Sequence, residues 1–377
     1  MGISINNLLL FSPFARRAVN KYHIGASPMR HFSAPSGLFP RYNGEEIVVN
    51  SEMNQQQVAA APTDHQPGDN GLRSARVAAV VVMCHLTDAR LLERLLHSVV
   101  PQVAGTFVID NTPADMKNTS PILPPFRDRV CHIPLGENTG VPNAQNVGIE
   151  AAIKGGYTHV LLLDDDSALP PEMMQKLLAA EAYLRDKGEL IAALGPAFVN
   201  EKTGEYSTAV RPSYILPKTF PLDSSSTTPV ETDHLIASGS LIPADALKVV
   251  GLMRGDFFMD WFDIEWGLRA KKLGYKSFIC PNVIMRHSIG DASAKVLWRS
   301  IPLHSDFRNY CILRNGMYLL RRSQSLGRQW KMVIILKIPK YIVFCPMHSK
   351  RPLYCFFLLL RGILDGWSGK LGNLEVR

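Results

Sequence analysis

The sequence predicts an α/β fold of the doubly wound type, and two observations support this. Between residues 77 and 186, apolar runs rich in Val, Leu and Ile alternate with segments whose apolar residues recur at helical spacing, with short connections. Two of these runs end in acidic residues, at Asp110 and at 164–166. Ligands of doubly wound sheets bind at the carboxyl ends of the strands, so a binding site is expected where these acids lie.

The predicted elements follow in order from residue 77. Strands are predicted at 77–84, 106–110, 130–133 and 159–163, and helices at 87–99, 142–154 and 171–186. The first strand is a continuous apolar run, as expected of a parallel strand covered on both faces. Beyond residue 191 the pattern is mixed, with strands expected at 194–199, 236–242 and 276–280 and helices at 244–250 and 263–273.

The N-terminal stretch differs from this middle part in composition. Residues 1–44 contain basic side chains but no acid, and the stretch to residue 71 is rich in Gln, Ala, Pro, Asp and Asn. We interpret residues 1–72 as a disordered extension. Alternatively, the start of translation is assigned too early, since Met53 could also begin the chain. A basic targeting arm is the alternative interpretation.

Residues 301–377 are expected to form a helical region that follows a main domain at 73–300. Between Phe307 and Leu364 there is no Asp or Glu, whereas Lys and Arg recur between apolar blocks. Such blocks fit helices that lie in a membrane interface with their cations on anionic headgroups. A helical subdomain with a solvated basic face fits equally well. No uninterrupted apolar run of about 18 residues occurs, so no transmembrane helix is predicted.

The charge balance and the cysteines limit the classes of partner. The chain has 41 Lys and Arg against 33 Asp and Glu, which favours an anionic partner. Nucleic acid is the weakest candidate, because no nucleic-acid motif is present and the apolar C-terminal blocks are too thick for a solvated groove. The six cysteines form no C-x-x-C pair, so neither a disulfide framework nor a zinc site is expected. A reducing, cytoplasmic setting is the simplest interpretation.

The acidic cluster Asp164, Asp165 and Asp166 is the main candidate for chemistry. It directly follows an apolar strand, and three like charges crowded at a strand end are costly unless a cation compensates them. Carboxylates together with phosphate oxygens are the usual ligands of Mg²⁺ or Mn²⁺. A solvated acidic turn is the alternative, but the preceding strand favours the metal interpretation.

Two further segments of this half carry candidates for ligand binding. Asp110 ends the second strand, where a carboxylate can accept hydrogen bonds from a base or a ribose, although Asp followed by Asn also favours an Asx turn. Gly140, Ala144 and Gly148 recur four residues apart and form a smooth stripe along a helix. The stripe permits close approach of a nucleotide, and plain packing of the helix on the sheet explains it equally well.

A second acidic centre lies among aromatic residues at a predicted helix start. Asp260, Asp263 and Glu265 would be stabilised there by the helix N-terminus. A carboxylate surrounded by aromatic side chains can have the raised basicity that a general base needs. Helix capping is the alternative, above all for Asp260. His287 closes a short strand, and such a residue alone is more often structural than a ligand.

In this order, several segments resemble the inverting family 2 glycosyltransferases of the GT-A fold and, within them, the bacterial rhamnosyltransferases. The segments are Val108–Thr112, Asn138–Gly148, Leu161–Ser167, Ala237–Ser240, Phe258–Ala270, His287–Gly290, Tyr310–Gly316 and Asp365–Gly366. Each motif alone is weak, but the ordered set is specific and extends from about residue 77 to residue 375. Cys84 and His85 depart from it, because relatives often have an aromatic residue followed by Asn there.

The resemblance implies a GT-A type doubly wound mixed sheet with a helical basic and apolar C-terminal region, and a role for each matching residue. The catalytic base would be Asp263. The nucleotide sugar would be bound by Asp110, Asn138, Gly140, Asp164 and Asp165, and Mg²⁺ or Mn²⁺ would be held by Asp166 and His287. The acceptor side would contain Ser238, Gly239, Asp260 and Glu265, and Arg314 would meet the leaving diphosphate.

The resemblance also implies the substrates and their location. The donor would be dTDP-L-rhamnose, and the acceptor a lipid-linked glycan on the way to a surface polysaccharide such as O antigen. A glycolipid acceptor, as in rhamnolipid synthesis, is the close alternative. The protein would be cytoplasmic and peripheral at the inner face of the cytoplasmic membrane.

Two other classes of protein fit parts of the pattern. A nucleotidyltransferase also pairs acids with a metal on an α/β sheet, but it needs no base for a sugar hydroxyl, so Asp263→Asn would barely affect it. A non-catalytic basic membrane adaptor would bind lipid whether or not Asp166 is present, and it would show no turnover.

Overall fold

A computed structural model describes residues 75–84, 87–116, 126, 128–200, 206–211, 213, 216–287, 292–296 and 299–373. Within these ranges the side chains of Asn200, His287 and the residues between 292 and 303 are outside the description. The extension predicted at 1–72 lies wholly outside the described residues and stays a prediction.

One eight-stranded sheet organises the fold. Its strands are β1 (Val77–Met83), β2 (Gly105–Pro113), β3 (Val130–Gly136), β4 (His159–Asp164), β5 (Ile191–Asn200), β8 (Val230–Thr232), β9 (Leu241–Pro243) and β10 (Lys276–His287). Their order across the sheet is β3-β2-β1-β4-β9-β5-β10-β8. Strands β3, β2, β1 and β4 are mutually parallel, as are β5 and β10, whereas β9 is antiparallel to β4 and β5 and β8 is antiparallel to β10. The sheet is therefore mixed, which confirms the predicted fold class.

Two antiparallel hairpins outside this sheet were not predicted. They are β6 (Thr208–Arg211) with β7 (Lys218–Pro221) and β11 (Ala292–Val296) with β12 (Arg299–Leu303). The strand predicted at 236–242 is wrong for most of its length, since only its last two residues belong to β9. A turn at Gly239, whose φ is +84°, replaces the rest, and a buried strand has no place for that conformation.

Eight α-helices are found among the described residues. They are α1 (Ala89–Val99), α2 (Val141–Lys154), α3 (Met173–Asp186), α4 (Ala244–Val250), α5 (Phe262–Lys272), α6 (Asp306–Arg322), α7 (Arg328–His348) and α8 (Pro352–Ser368). The first five agree with the predicted helices to within two residues at each end. The last three confirm that the C-terminal region is helical.

The sheet separates two apolar cores because successive residues of β1 point to opposite faces. Ala79 and Val81 pack with α1 and α3 on one face, whereas Val80 and Val82 pack with α2 on the other. The second core continues without a break into α6 and α7 through side chains such as Ile312 and Val333. The predicted division at residue 300 therefore separates two parts of the chain that share one core.

None of the described helices combines the length and the apolar character needed to cross a membrane. The longest, α7, also contains Pro339 and Pro346, and each proline removes a backbone donor within the helix.

Candidate functional site

The acids predicted at the strand ends meet at the carboxyl edge of the sheet. The end of β1 is flanked by Asp110 on β2 and by Asp164 on β4, since Met83 pairs with Asp110 and Val82 with Asp164. Both side chains are buried, although each belongs to a residue type that normally faces water. The sheet therefore brings together two carboxyls that are 54 positions apart in sequence (164 − 110).

A hydroxyl bridge fixes the backbone at Asp164. The Asp164 N–H donates to Ser238 Oγ at 3.2 Å, and Ser238 Oγ is 2.6 Å from Ser167 Oγ. The Gly239 N–H donates to the carbonyl of Leu162 at 2.8 Å. Ser238 and Gly239 thus hold the end of β4, and their predicted place on the acceptor side stays a prediction.

The other two acids of the cluster are held by the segment around α1. The Thr87 hydroxyl donates to the carboxylate of Asp165, and the same hydroxyl oxygen accepts from the Cys84 N–H at 2.9 Å. Arg94 donates to the backbone carbonyl of Asp166 at 3.0 Å. These contacts orient the turn that follows β4, and Thr87 was not among the predicted site residues because no local motif distinguishes it.

The carboxyl of Asp164 has no hydrogen-bond partner for either of its oxygens among the described residues, and its side chain is buried. Burial and the nearby charges of Asp166, Asp165 and Asp263 raise the pKa of Asp164 well above its usual range. An unsatisfied buried carboxyl surrounded by carboxylates is expensive unless a cation or a donor group binds there.

Of the two metal ligands predicted from the sequence, the structure describes the side chain of only one. Asp166 lies in the cluster, whereas the side chain of His287 is outside the described residues, and only the position of its backbone at the end of β10, opposite Asn200, is defined. Within the described ranges no group of three or more His, Cys, Asp and Glu side chains has the geometry of a metal site. Asp166 and His287 as ligands stay predictions.

Asp110 and Asn138 belong to a polar network at the end of β2. His132 Nε2 lies 3.3 Å from Asp110 Oδ2, and the Thr112 N–H donates to Asp110 Oδ1 at 3.2 Å. Asn111 Oδ1 accepts from the Thr139 N–H at 2.8 Å, and its amide donates to Asn138 Oδ1 at 3.0 Å. Asn111 therefore ties the strand end to the loop that carries Asn138.

Gly140 permits a close approach between this loop and the second acidic centre. Its φ is +85°, and a Cβ would lie 2.6 Å from the Phe258 carbonyl oxygen and 2.7 Å from Phe258 Cα. The Val141 N–H donates to the same carbonyl at 2.9 Å. Farther along α2, a Cβ on Gly148 would lie 2.3 Å from a Val80 methyl group, so the small-residue stripe serves packing there.

The segment 257–261 leads into α5 in an unusual conformation. Phe258, Asp260 and Trp261 have φ values of +63°, +57° and +69°, a region that residues with a Cβ rarely adopt. The Asp260 carboxylate accepts three hydrogen bonds from the guanidinium of Arg308, at 3.0 to 3.3 Å, and both side chains are buried. The predicted acceptor-side role of Asp260 stays a prediction, and the structure shows the carboxylate in an ion pair with α6.

Asp263 lies in the first turn of α5 and is buried. Its Oδ1 accepts from the Ile264 N–H at 2.8 Å, whereas Oδ2 has no hydrogen-bond partner among the described residues. Burial raises the pKa of Asp263 to about 7, with the charge of Asp260 acting in the same direction. A carboxyl whose pKa lies near neutrality suits general base catalysis.

The C-terminal helices hold the segment 257–261 in place. The Asn315 amide donates to the carbonyls of Phe257, Met259 and Asp260 at 2.8 to 3.2 Å. Arg314, which has no exposed surface, donates to the carbonyls of Phe257 and Gly372, both at 2.8 Å, and to its neighbour Asn315. The expectation that Arg314 meets the leaving diphosphate is wrong, because its guanidinium is enclosed and binds backbone carbonyls.

Glu265 is placed on the inner side of α5. Both of its carboxylate oxygens accept from the Arg269 guanidinium, at 3.1 to 3.3 Å. Arg269 also donates to the carbonyls of Val250 and Leu252, so the pair joins α5 to the end of α4. The acceptor-side role predicted for Glu265 stays a prediction, and the described contacts give it a structural role.

The geometry thus assembles two acidic centres that the sequence separates by about a hundred residues. The carboxyls of Asp164 and Asp263 are close enough for the charge of Asp263 to raise the pKa of Asp164. Arg308 acts on both in the opposite direction. Nothing in the local sequence singles out Arg308 among the many C-terminal cations, so sequence reasoning missed it.

Comparison with known proteins decides the class. Residues 79–251 match the model of the family described as Glycosyl transferase family 2. The chain carries a family 2 glycosyltransferase domain. The match spans β1 to α4, including the acids at the ends of β2 and β4, and it ends before Asp260 and Asp263.

Two curated relatives extend this comparison. Over 272 residues the chain is 29% identical to the dTDP-rhamnosyl transferase RfbF of Shigella flexneri, and the alignment covers 71% of this chain and 86% of that protein. Over 289 residues it is 23% identical to the low-salt glycan biosynthesis hexosyltransferase Agl10 of Haloferax volcanii, and that alignment covers 74% of this chain and 88% of the relative. Both alignments are much longer than the family 2 match.

Among solved structures, the chain resembles S. aureus TarS 1-349 in complex with UDP-GlcNAc. The TM-score is 0.48 at 12% sequence identity, and the alignment covers 77% of this chain and 81% of that one.

The family 2 glycosyltransferase domain establishes the enzyme class. The protein is a glycosyltransferase, which sets aside the nucleotidyltransferase and the non-catalytic adaptor considered from the sequence. The predicted resemblance to this family and its rhamnosyltransferases is confirmed, and so is the expected GT-A type fold with its mixed sheet.

Proposed function

We propose that this glycosyltransferase moves L-rhamnose from dTDP-L-rhamnose to a lipid-linked glycan, with inversion at the anomeric carbon. The observation that carries the proposal is a pair of buried carboxyls, Asp164 at the end of β4 and Asp263 in the first turn of α5, each with an oxygen that binds no described group. The choice of rhamnose rests on the relative named a dTDP-rhamnosyl transferase.

The nucleotide sugar binds along the ends of β2 and β4 in this scheme. Asp110, Asn138 and Gly140 border the base and the nucleoside, and Asp164 and Asp165 face the ribose and the diphosphate. A divalent cation, Mg²⁺ or Mn²⁺, fits the excess of negative charge around Asp164, and Asp166 and His287 would hold it. When bound, the cation neutralises the charge that develops on the leaving diphosphate.

Asp263 serves as the base in a single displacement. It takes the proton from an acceptor hydroxyl while that oxygen forms a bond to the anomeric carbon. The bond from the anomeric carbon to the diphosphate oxygen breaks, and its electron pair leaves with the nucleoside diphosphate. Because the new bond forms opposite the old one, the configuration inverts. The Oδ2 of Asp263, which has no partner among the described residues, and the pKa of this carboxyl near neutrality suit this role.

The acceptor and location follow from the same resemblance. A lipid-linked glycan on the route to an O-antigen-like surface polysaccharide would be met at the inner face of the cytoplasmic membrane, by a protein bound peripherally. A glycolipid would present the same kind of hydroxyl next to an apolar anchor.

The test is release of nucleoside diphosphate from a panel of sugar nucleotides. Purified protein would be supplied with a bacterial lipid extract and with Mg²⁺ or Mn²⁺, and then with EDTA. We expect release from dTDP-L-rhamnose alone, its loss with EDTA, and a loss of about 100-fold or more in kcat for Asp263→Asn, because the general base is removed. Asp186→Asn is the matched control, since Asp186 is an exposed acid at the end of α3.

The outcomes separate the parts of the scheme. Turnover with another sugar would retain the mechanism and refute the choice of rhamnose. Full activity of Asp263→Asn would refute the assignment of the base. Activity that is insensitive to EDTA would refute the cation.

A further inference from the structure

The α7–α8 hairpin has an exposed surface unlike the rest of the molecule. In the described part of the chain, the five most exposed large apolar side chains all lie on these two helices, with exposed fractions of 63% to 76%; they are Val343, Met347, Leu353, Phe357 and Leu364. Four of the five lie within 343–357, on either side of the turn that joins the helices. Large exposed apolar surface of this kind marks an interaction site.

Both helices are apolar on two opposite sides. Along α7, the exposed residues Met332, Leu336, Val343 and Met347 follow helical spacing, and the buried residues Trp330, Val333, Ile334 and Tyr341 occupy the other side. Along α8, Leu353, Phe357 and Leu364 are exposed, whereas Cys355, Leu358 and Leu359 are buried. One side of each helix packs into the protein, so the second apolar side requires a partner outside it.

The charges around this surface are of one sign. The stretch from Phe307 to Leu364 contains no acid, and Lys350 and Arg351 are exposed in the turn at the tip of the hairpin. Two acids, Asp306 and Asp365, flank this stretch in sequence, and neither is exposed. Asp306 is partly buried and accepts from the Ser349 hydroxyl at 2.8 Å, and Asp365 is buried and accepts from the Tyr310 hydroxyl at 2.9 Å. Apolar side chains beside exposed cations are complementary to a bilayer surface that contains anionic lipid.

We propose that the tip of the α7–α8 hairpin, residues 343–357, docks onto an anionic bilayer. Met347, Leu353 and Phe357 enter the apolar boundary of the headgroup region while Lys350 and Arg351 bind the headgroups. The inference deepens the proposed function, on which it rests for the lipid-linked acceptor, by identifying the surface that meets the membrane.

The hairpin is attached firmly enough to orient the catalytic centre relative to the bilayer. On its buried side, α7 places Lys337 Nζ 4.9 Å from the centre of the Trp261 ring, next to the segment that leads to Asp263. Trp330 on the same helix donates to Asp233 Oδ2 at 2.9 Å. A surface fixed to the catalytic segment in this way would hold Asp263 at a constant height above the headgroups.

The test is binding of the whole 377-residue chain to vesicles in the absence of any sugar nucleotide. Vesicles of phosphatidylcholine with phosphatidylglycerol would be compared with phosphatidylcholine alone by co-flotation. We expect Lys350→Gln with Arg351→Gln to weaken binding to the anionic vesicles by about 25-fold, since two interfacial cations are removed. The triple variant Met347→Gln, Leu353→Gln and Phe357→Gln should weaken binding at least about tenfold.

Matched controls exclude a general effect of removing exposed apolar groups. Leu190→Gln, Val249→Gln and Leu273→Gln remove three side chains of 48% to 53% exposure elsewhere on the surface, and this variant should bind like the unaltered protein. Thermal unfolding of each variant checks that it is folded. Asp263→Asn should also bind normally, so failure of the proposed sugar transfer would not affect this result.

Three results would overturn the inference. One is the absence of binding of the unaltered protein to anionic vesicles, and another is equal binding by both triple variants. The third is a dimer in light scattering that the hairpin variant converts to a monomer while vesicle binding persists, because a second copy of the chain would then be the partner of this surface.

Discussion

The position of Asp164 is set by β4, the strand that carries it, whereas the position of Asp263 is set by helices much farther along the chain. Asp164 is positioned by the apolar pattern of its strand, by the register of that strand with β1 and by one serine hydroxyl. The segment before Asp263 requires Arg308, Arg314 and Asn315 of α6 to hold three residues at positive φ. One half of the candidate site is therefore encoded locally, and the other half depends on tertiary contacts.

The C-terminal region belongs to the enzyme because it holds the segment that carries Asp263. Strained backbone persists only where its surroundings hold it, and here those surroundings are a helix that the family 2 match does not reach. Loss of this helix should leave the strand ends intact and release the segment that carries the base.

The largest effect is expected for Arg308→Met. It would leave the Asp260 carboxylate buried without its partner and close to Asp263, which should lower the free energy of unfolding by about 4 kcal/mol. Urea denaturation would measure this. The control is Lys176→Met, which removes an exposed ion pair with Glu172 and should change stability by less than about 1 kcal/mol. Similar losses in the two variants would contradict the proposed role of Arg308.

A smaller effect is expected for Gly140→Ala. The residue would be strained by its positive φ, and its Cβ would also collide with the backbone of Phe258, so we expect a loss of about 3 kcal/mol. Gly136→Ala is the matched control. Gly136 has a φ of +72° with no atom within 4 Å of its Cβ position, so strain alone should cost about 1 kcal/mol. Equal shifts in thermal unfolding would show that contact with Phe258 does not restrict this position.

Asn111→Ala should have an intermediate effect on stability and a distinct effect on kinetics. It removes the acceptor for the Thr139 N–H and the donor to Asn138, so about 1 to 2 kcal/mol should be lost. If the 138–140 loop borders the donor, KM for the sugar nucleotide should rise while kcat changes little. Asn111→Asp retains the acceptor and should restore part of the affinity. A fall in kcat alone would contradict this assignment.

The smallest effect is expected in a helix that is encoded locally. Asp88 caps α1, and its side chain accepts from the Arg90 N–H at 3.0 Å. Asp88→Ala should lower stability by about 1 kcal/mol and leave kcat/KM unchanged. A large loss of activity would show that α1 contributes more to the acidic cluster than its contact through Thr87 indicates.

Much of the fold could be predicted because its elements carry strong local patterns. The apolar run of β1 and the helical spacing of α1 identified both elements, with differences of one or two residues at their ends. The turn at Gly239 was mistaken for a strand because apolar residues, Ile236 and Ala237 before it and Leu241 and Ile242 after it, flank its small residues. The hairpin β6–β7 was missed because its short strands have no strong alternation of apolar and polar residues.

The candidate site divides in the same way. The acids at the ends of β2 and β4 could be identified from the sequence alone, because apolar runs mark the strands and parallel strands bring their carboxyl ends to one edge of the sheet. The folded chain was needed to show that Arg314 binds the backbone of a loop, that Asp260 pairs with Arg308 and that Asp263 retains a carboxylate oxygen without a described partner. Burial and pairing of a charge depend on which distant residues surround it, and spacing along the chain does not specify those neighbours.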